Sequence, residues 1–501
     1  MSKKPRIFYS ALLLTGVNLL LRFGSMAFQV YLSGRIGAEG IGLLQLVLSV
    51  ASLSMIAAMA GVRTATMYLT AEELGKKRPG NIRWVLSGCI GYGALWGIGI
   101  ALAVSLMAPF LAEEWIGNIK TLSAIRLFAL FLPANCLTGV MVGYFTGANR
   151  IGTLAAVEVA EQLCSIGCTM ALLTVWAGHS AEKCCQAVLM GSGMGSVFTL
   201  MCLLILYLRM KHPAGRRIPV GRRLFHVALP LAAADDLKAG INTVENLMVP
   251  KRLGMYPGIG SALGAFGVVS GMVFPVLMFP ACILYALAEL LIPELARCNA
   301  AGSQDRIRYL TRRSIKIAGL YGILFGGWMF LCAEMLCMRL YQNMEAGRQL
   351  QRYAILIPML YCDAIVDAMT KGLGQQKICV RYNILTSSMD VALLYILLPN
   401  FGMAGYFVSF ALTHLVNFLL SLGRLMKITR MGFSVGKLAW IAISMAVAIG
   451  VVSMTTSPGI RVMAYPLVLG CLLYLGKVVR KEDFLWMVQM VSASGKIGVA
   501  R

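Results

Sequence analysis

Long apolar runs follow one another along almost the whole chain, separated by short polar segments. They fall at 8–33, 41–68, 84–109, 121–146, 153–177, 184–208, 223–250, 258–291, 312–338, 350–372, 379–400, 403–427, 435–456 and 460–478. A helix needs about 20 mainly apolar residues to cross the hydrocarbon core of a bilayer, and these runs supply that length. They lack the strict alternation of a membrane β-strand. The pattern predicts an all-α, polytopic membrane protein with about fourteen transmembrane helices.

The polar segments orient these spans. With the N-terminus in the cytoplasm, that side holds Lys76, Lys77, Arg78 and Arg83, then Arg216, Arg217, Arg222 and Arg223, then Arg306, Arg308, Arg312 and Arg313, and later Arg424, Lys427 and Arg430. The opposite side is poorer in cations (Arg35, Lys120, Arg461) and has an acidic turn at Glu113 and Glu114. Basic residues concentrate on cytoplasmic loops, so both termini are expected on the cytoplasmic side of the cell membrane. Lys251–Arg252 and the 339–348 segment run against the rule. The N-terminal Lys3, Lys4 and Arg6 precede an apolar run too long for a signal peptide, which reads as a retained first span.

Composition agrees with a bilayer rather than water as the main solvent. Hydrophobic residues make up 58% of the 501 residues and charged residues only 13%, where a soluble chain is nearer a quarter charged. The net charge of +24 lies in short clusters between spans, so it marks topology and not nucleic-acid binding. The 14 cysteines fall mostly within apolar runs, and with four histidines they form no zinc spacing; no disulfide, metal or cofactor is expected. The glycines at 91, 93 and 97 and at 191, 193 and 195 sit inside apolar runs and read as helix-packing faces. No phosphate-binding loop or zinc-protease motif is present, and no loop exceeds about 20 residues. The chain offers no room for a catalytic domain, so an enzyme is not expected.

A weak internal repeat organises the spans. Arg35-Ile36-Gly37 with Gly40-Ile41-Gly42 is echoed by Arg252-Leu253-Gly254 with Gly258-Ile259-Gly260, and Gly147-Ala148-Asn149-Arg150 by Gly374-Gln375-Gln376-Lys377. The expectation is two pseudo-symmetric six-helix lobes, 1–209 and 223–427, joined by a basic cytoplasmic linker at 210–222. Two further helices occupy 428–479 and a cytoplasmic tail 480–501. In transporters of this design, substrate lies between the lobes and alternating access moves it.

Charged groups inside spans are costly and mark function by default. Arg22 lies about 21 Å into the first span at about 1.5 Å per residue, and Lys238 recurs at the equivalent depth of the seventh. Two cations facing one cavity suit a diphosphate; the alternative is that neighbouring carboxylates neutralise them, with Asp235 the obvious partner of Lys238. Asp235, Lys238, Asn242 and Glu245 share one face of span seven. Glu158, Glu161 and Gln162 in span five line the cavity or form a packing network. Asp363 and Asp367, one turn apart in span ten, bind a coupling cation or pair with Lys371. Arg63 is expected to snorkel.

Several segments resemble a known family. Arg35-Ile36-Gly37-Ala38-Glu39-Gly40-Ile41-Gly42-Leu43, Gly143-Tyr144-Phe145-Thr146-Gly147 and Val157-Glu158-Val159-Ala160-Glu161-Gln162 are similar to segments of polysaccharide exporters and SpoVB-like sporulation proteins. Val249-Pro250-Lys251-Arg252-Leu253 and Gly372-Leu373-Gly374-Gln375 look like the matching second-half motifs. These belong to the MOP superfamily, beside the MurJ flippase and the Wzx exporters. The resemblance implies a two-lobed flippase for an undecaprenyl-diphosphate-linked sugar or peptidoglycan precursor, in cell-wall, spore-cortex or surface-polysaccharide synthesis. It implies that Arg22 helps hold the diphosphate, and that membrane potential, Na+ or H+ drives transport. Membrane lipids and cell-wall synthesis enzymes are the implied partners. Two departures stand out: Ser165 occupies a position that is basic in the family, and Glu245 replaces an expected aspartate. The alternative reading is a MATE-like, cation-coupled antiporter for drugs or other small molecules.

Overall fold

The computed structural model describes residues 4–59, 61–176, 180–210, 220–432, 435–455, 458–476 and 478. Among them every regular element is helical: α1 (Lys4–Met59), α2 (Val62–Gly75), α3 (Ile82–Phe110), α4 (Leu122–Gly147), α5 (Ile151–Val175), α6 (Ala181–Leu208), α7 (Gly221–Leu253), α8 (Ala262–Gly267), α9 (Phe274–Met278), α10 (Ala281–Ala300), α11 (Gln304–Tyr341), α12 (Met344–Ala354), α13 (Ile357–Gly372), α14 (Gln376–Thr429), α15 (Val435–Ser453) and α16 (Pro458–Leu475). Among the described residues seven helical stretches, α7 not among them, are long and apolar enough to cross a membrane, and up to nine if two bent pairs are each one span. Helices of 56 and 54 residues are far longer than one crossing requires. Each holds two spans, so the helical layout is consistent with the predicted fourteen.

The breaks inside the two long helices lie at Gly37 (φ 66°, ψ −172°) and Gly402 (φ 54°, ψ −133°). A side chain at either backbone conformation clashes with its own carbonyl, so glycine is what lets the chain leave one span and enter the next. A Cβ on Gly402 would also lie 2.8 Å from the Tyr256 ring. The tenth predicted span is a bent pair, α12 and α13, at 59°. The predicted span, 350–372, took in only the second half of α12, because that helix is amphipathic: Ala346, Leu350 and Tyr353 are buried while Arg348 and Arg352 are exposed. Pro358 in the first turn of α13 fixes the restart after the bend.

Contacts divide the chain into two compact units, Leu12–Gly271 with Ser387–Tyr406, and Met272–Thr386 with Met1–Ala11 and Phe407–Arg501. In the first unit a buried cluster of Val62, Leu69, Val85, Cys136, Phe145 and Leu203 joins α2, α3, α4 and α6. Glycines allow the close approach. A Cβ on Gly143 or Gly147 of α4 would meet the carbonyls of Arg63 and Met67 at 2.3 and 2.6 Å. Gly93 and Gly97 face Cys136, and Gly191 and Gly195 face Ser165, as helix-packing positions do. In the second unit α15 and α16 pack on α11 through Ile323, Ala448, Val452, Tyr465 and Leu469. The buried Tyr465 hydroxyl donates to the Ile323 carbonyl at 2.7 Å. Beside the interruption at Pro280, Tyr321 and Tyr361 donate to the carbonyls of Pro280 and Leu277 at 2.8 and 2.9 Å, satisfying groups that hydrocarbon would leave unpaired.

An ionic joint ties the start of α7 to the last turns of α2, beyond the apolar stretch. Arg223 donates to Glu72 at 2.8 Å and to Glu73 at 3.0 Å, and Asn81 donates to Glu73 at 3.0 Å. Lys76 completes it by pairing with Glu72. Lys76 and Arg223 hold the Glu72 carboxyl below the usual carboxylate range. Burial opposes ionisation of Glu73, but its bonds from Asn81 and Arg223 outweigh that and hold it low as well.

Two outcomes follow for stability in detergent. Gly37→Ala should cost about 1–3 kcal/mol through backbone strain and lower the thermal midpoint, whereas Gly34→Ala, in a helical site with open space around the Cβ, should be neutral or stabilising. Glu73→Gln should cost about 1 kcal/mol at pH 7. Because the carboxyls are depressed on folding, their contribution is complete above the unfolded value of about 4.3 and disappears as pH falls through the lower folded value. The difference between wild type and Glu73→Gln should therefore shrink in acid; a constant difference would contradict the ionic origin of the joint.

Candidate functional site

The polar face expected on α7 is present as one exposed face. Asp235, Lys238 and Asn242 are exposed, while Ala239, Thr243 and Leu247 on the other side are buried. The buried side is anchored to the second half of α1: Thr243 donates to the Ser49 carbonyl at 3.3 Å and Asn246 to the Ser49 hydroxyl at 2.9 Å. This anchoring fixes which way the charges point. Among the described residues no ion pair joins Lys238 to Asp235, so the expected internal neutralisation is not seen. A charged face cannot look at lipid tails at low cost; it calls for water or an ionic ligand.

Glu245, farther along that face, is half-buried and differs from the other three. Its carboxyl hydrogen-bonds that of Asp390 on α14, and Asp390 is buried at 6% exposure. Two carboxyl groups in contact share a proton or hold a cation between them. Asp390 was missed from the sequence although the signal was there: it is a carboxylate in the middle of the apolar run 379–400. Asp236, beside Asp235, was missed too, because it lies off the counted face. Near the same end of α7, the Arg252 guanidinium lies over the Tyr395 ring, 3.2 Å from its centroid.

Arg22 is exposed on α1. On the facing side of α5, the Gln162 amide donates to the Leu21 carbonyl at 2.8 Å and to the Ser25 hydroxyl at 3.0 Å. Gln162 thus bonds to the helix that carries Arg22. Glu158, one turn back on α5, and Glu161, next to Gln162, are half-buried, while Arg63 on α2 is exposed and close enough to act on both electrostatically.

In the second unit the two aspartates of α13 part company. Asp367 forms an ion pair with Lys371 at 2.6 Å. Asp363 Oδ2 accepts a hydrogen bond from Asn417 of α14 at 3.1 Å. Asp363 Oδ1 and Asn417 Oδ1 are both buried and have no hydrogen-bond partner. Two buried acceptor oxygens on one hydrogen-bonded pair call for a proton, a water or another donor to satisfy them. Asn417 was not legible as part of this group, since its neighbours in sequence are apolar and the contact is 54 residues away.

Residues 14–171 match the MatE family model. Stage V sporulation protein B of Bacillus subtilis (strain 168) is 19% identical over 415 residues, covering 80% of this chain and 80% of that protein. The fold is similar to that of the lipid II flippase MurJ in an inward closed conformation, with a TM-score of 0.70 at 12% identity, over 94% of this chain and 100% of that one. It is also similar to an inward-facing multidrug resistance MATE family transporter of the MOP superfamily, with a TM-score of 0.67 at 13% identity, over 84% of this chain and 100% of that chain. The helical layout and these likenesses agree on the fold, which is similar to that of the MurJ and MATE structures, and the MatE family model matches the first third of the chain.

Proposed function

We propose that this protein is a membrane transporter, and more closely a flippase for a lipid-linked sugar, an undecaprenyl-diphosphate-linked oligosaccharide or a peptidoglycan precursor like lipid II. The observation that carries the reading is the pair of exposed cations, Arg22 on α1 and Lys238 on α7, within one unit. A diphosphate headgroup needs such charges where hydrocarbon would otherwise exclude it. Asn242 adds a hydrogen-bonding amide to the same face as Lys238, suited to a sugar hydroxyl. The names of a sporulation protein and of a lipid II flippase among the similar proteins support a cell-wall or spore-cortex role. The basic loops support a cytoplasmic membrane location with both termini inside, and cell-wall synthesis enzymes are the natural partners.

Energy for transport is proposed to enter through the second unit, at Asp363 and Asn417, with Na+ or H+ as the coupling ion. The Glu245–Asp390 pair offers a second acidic position in the first unit. The MatE match over residues 14–171 favours one other reading, a cation-coupled antiporter of drugs or small molecules.

Purified protein in liposomes carrying fluorescent lipid II gives the test. Arg22→Ala should cut protein-dependent leaflet exchange at least about tenfold, the scale of losing one charge-assisted contact, with unchanged expression and thermal midpoint; undiminished exchange would sink the assignment. Ethidium efflux by the wild type, with no lipid II exchange, would favour the antiporter. Asp363→Asn should remove the dependence of exchange on an imposed Na+ or proton gradient; a retained dependence on both would place coupling elsewhere.

A further inference from the structure

We propose that Gln162 is a positioning residue that holds the Arg22 turn of α1 in the orientation the diphosphate requires. This rests on the reading of Arg22 as a headgroup contact, but it assigns Gln162 a different task from touching substrate itself.

The geometry is a closed triangle. The Gln162 amide nitrogen donates to the Leu21 carbonyl at 2.8 Å and to the Ser25 hydroxyl at 3.0 Å. The Ser25 hydroxyl donates in turn to the Leu21 carbonyl at 3.0 Å. These bonds commit the amide nitrogen to α1. Leu21 directly precedes Arg22, and Ser25 lies one turn beyond Leu21. The brace therefore grips the turn from which the Arg22 side chain departs.

Gly24 is the second, independent part of the device. A Cβ there would sit 3.0 Å from Gln162 Nε2, closer than a methyl and an amide nitrogen comfortably stand. A Cβ there would displace the amide by a few tenths of an ångström, so glycine at 24 leaves the brace room to close. An arginine carried on a braced turn loses less freedom on binding than one on a loose turn.

Equilibrium binding of undecaprenyl diphosphate to the full-length protein in nanodiscs tests this. Gln162→Leu and Gly24→Ala should each weaken binding about five- to tenfold, the effect of losing one or two such hydrogen bonds. Arg22→Gln should weaken it more. The decisive variant is the double Arg22→Gln/Gln162→Leu, which should bind no more weakly than Arg22→Gln alone, because the brace acts through Arg22. Wild-type affinity in Gln162→Leu overturns the proposal, as does a full further loss in the double variant, which would mean that Gln162 merely packs helices. If Gln162→Leu fails to fold, Gly24→Ala takes its place in the same cycle. Wild-type affinity in Arg22→Gln is a separate outcome: it removes the headgroup reading, whatever Gln162 does.

Discussion

The structure is governed by the cost of placing a charge or an unpaired polar group in hydrocarbon. Each such group must meet a partner, reach water or wait for a ligand. The chain meets this requirement in all three ways. The Asp367–Lys371 pair is neutralised internally, and the buried tyrosines 321, 361 and 465 satisfy loose carbonyls. Arg22, Asp235, Lys238 and Asn242 present exposed polar groups on α1 and α7, which the proposed reading assigns to an ionic headgroup.

The same constraint explains where the backbone bends. A helix can change direction within or at the edge of a bilayer only where its freed groups are satisfied or its backbone needs no side chain. Gly37 and Gly402 serve the second route, and Pro280 with its two tyrosine donors serves the first. The joint between Arg223 and the glutamates of α2 lies at the polar end, where an ion pair is inexpensive, and fixes the start of the helix that carries Lys238.

Much of this was legible in the sequence. The spans were readable because one 20-residue apolar run is a local signal, and the two breaks because glycine-rich turns follow the first and precede the twelfth span. The exposed face of α7 followed from helical periodicity alone. What could not be read was pairing across helices. Glu245 with Asp390, Asp363 with Asn417, and Gln162 with Leu21 each join residues 54 to 145 positions apart, and no local pattern reports such contacts. Periodicity gave Gln162 a place near the cavity; only the direction of its two bonds turned it from a ligand contact into a support for Arg22. The first half of α12 was left out for a different reason, since its polar residues, Arg348 among them, interrupt the apolar run that defines a span.

The central claim is that this fold moves an anionic, polyprenol-linked headgroup. The most direct measurement compares, in the same proteoliposomes, leaflet exchange of a diphosphate-linked disaccharide on undecaprenol with that of the same disaccharide on a neutral polyprenyl glycoside. The account predicts rapid, protein-dependent exchange of the diphosphate lipid and only background exchange of the neutral one. Equal exchange of both, or of neither, would contradict it.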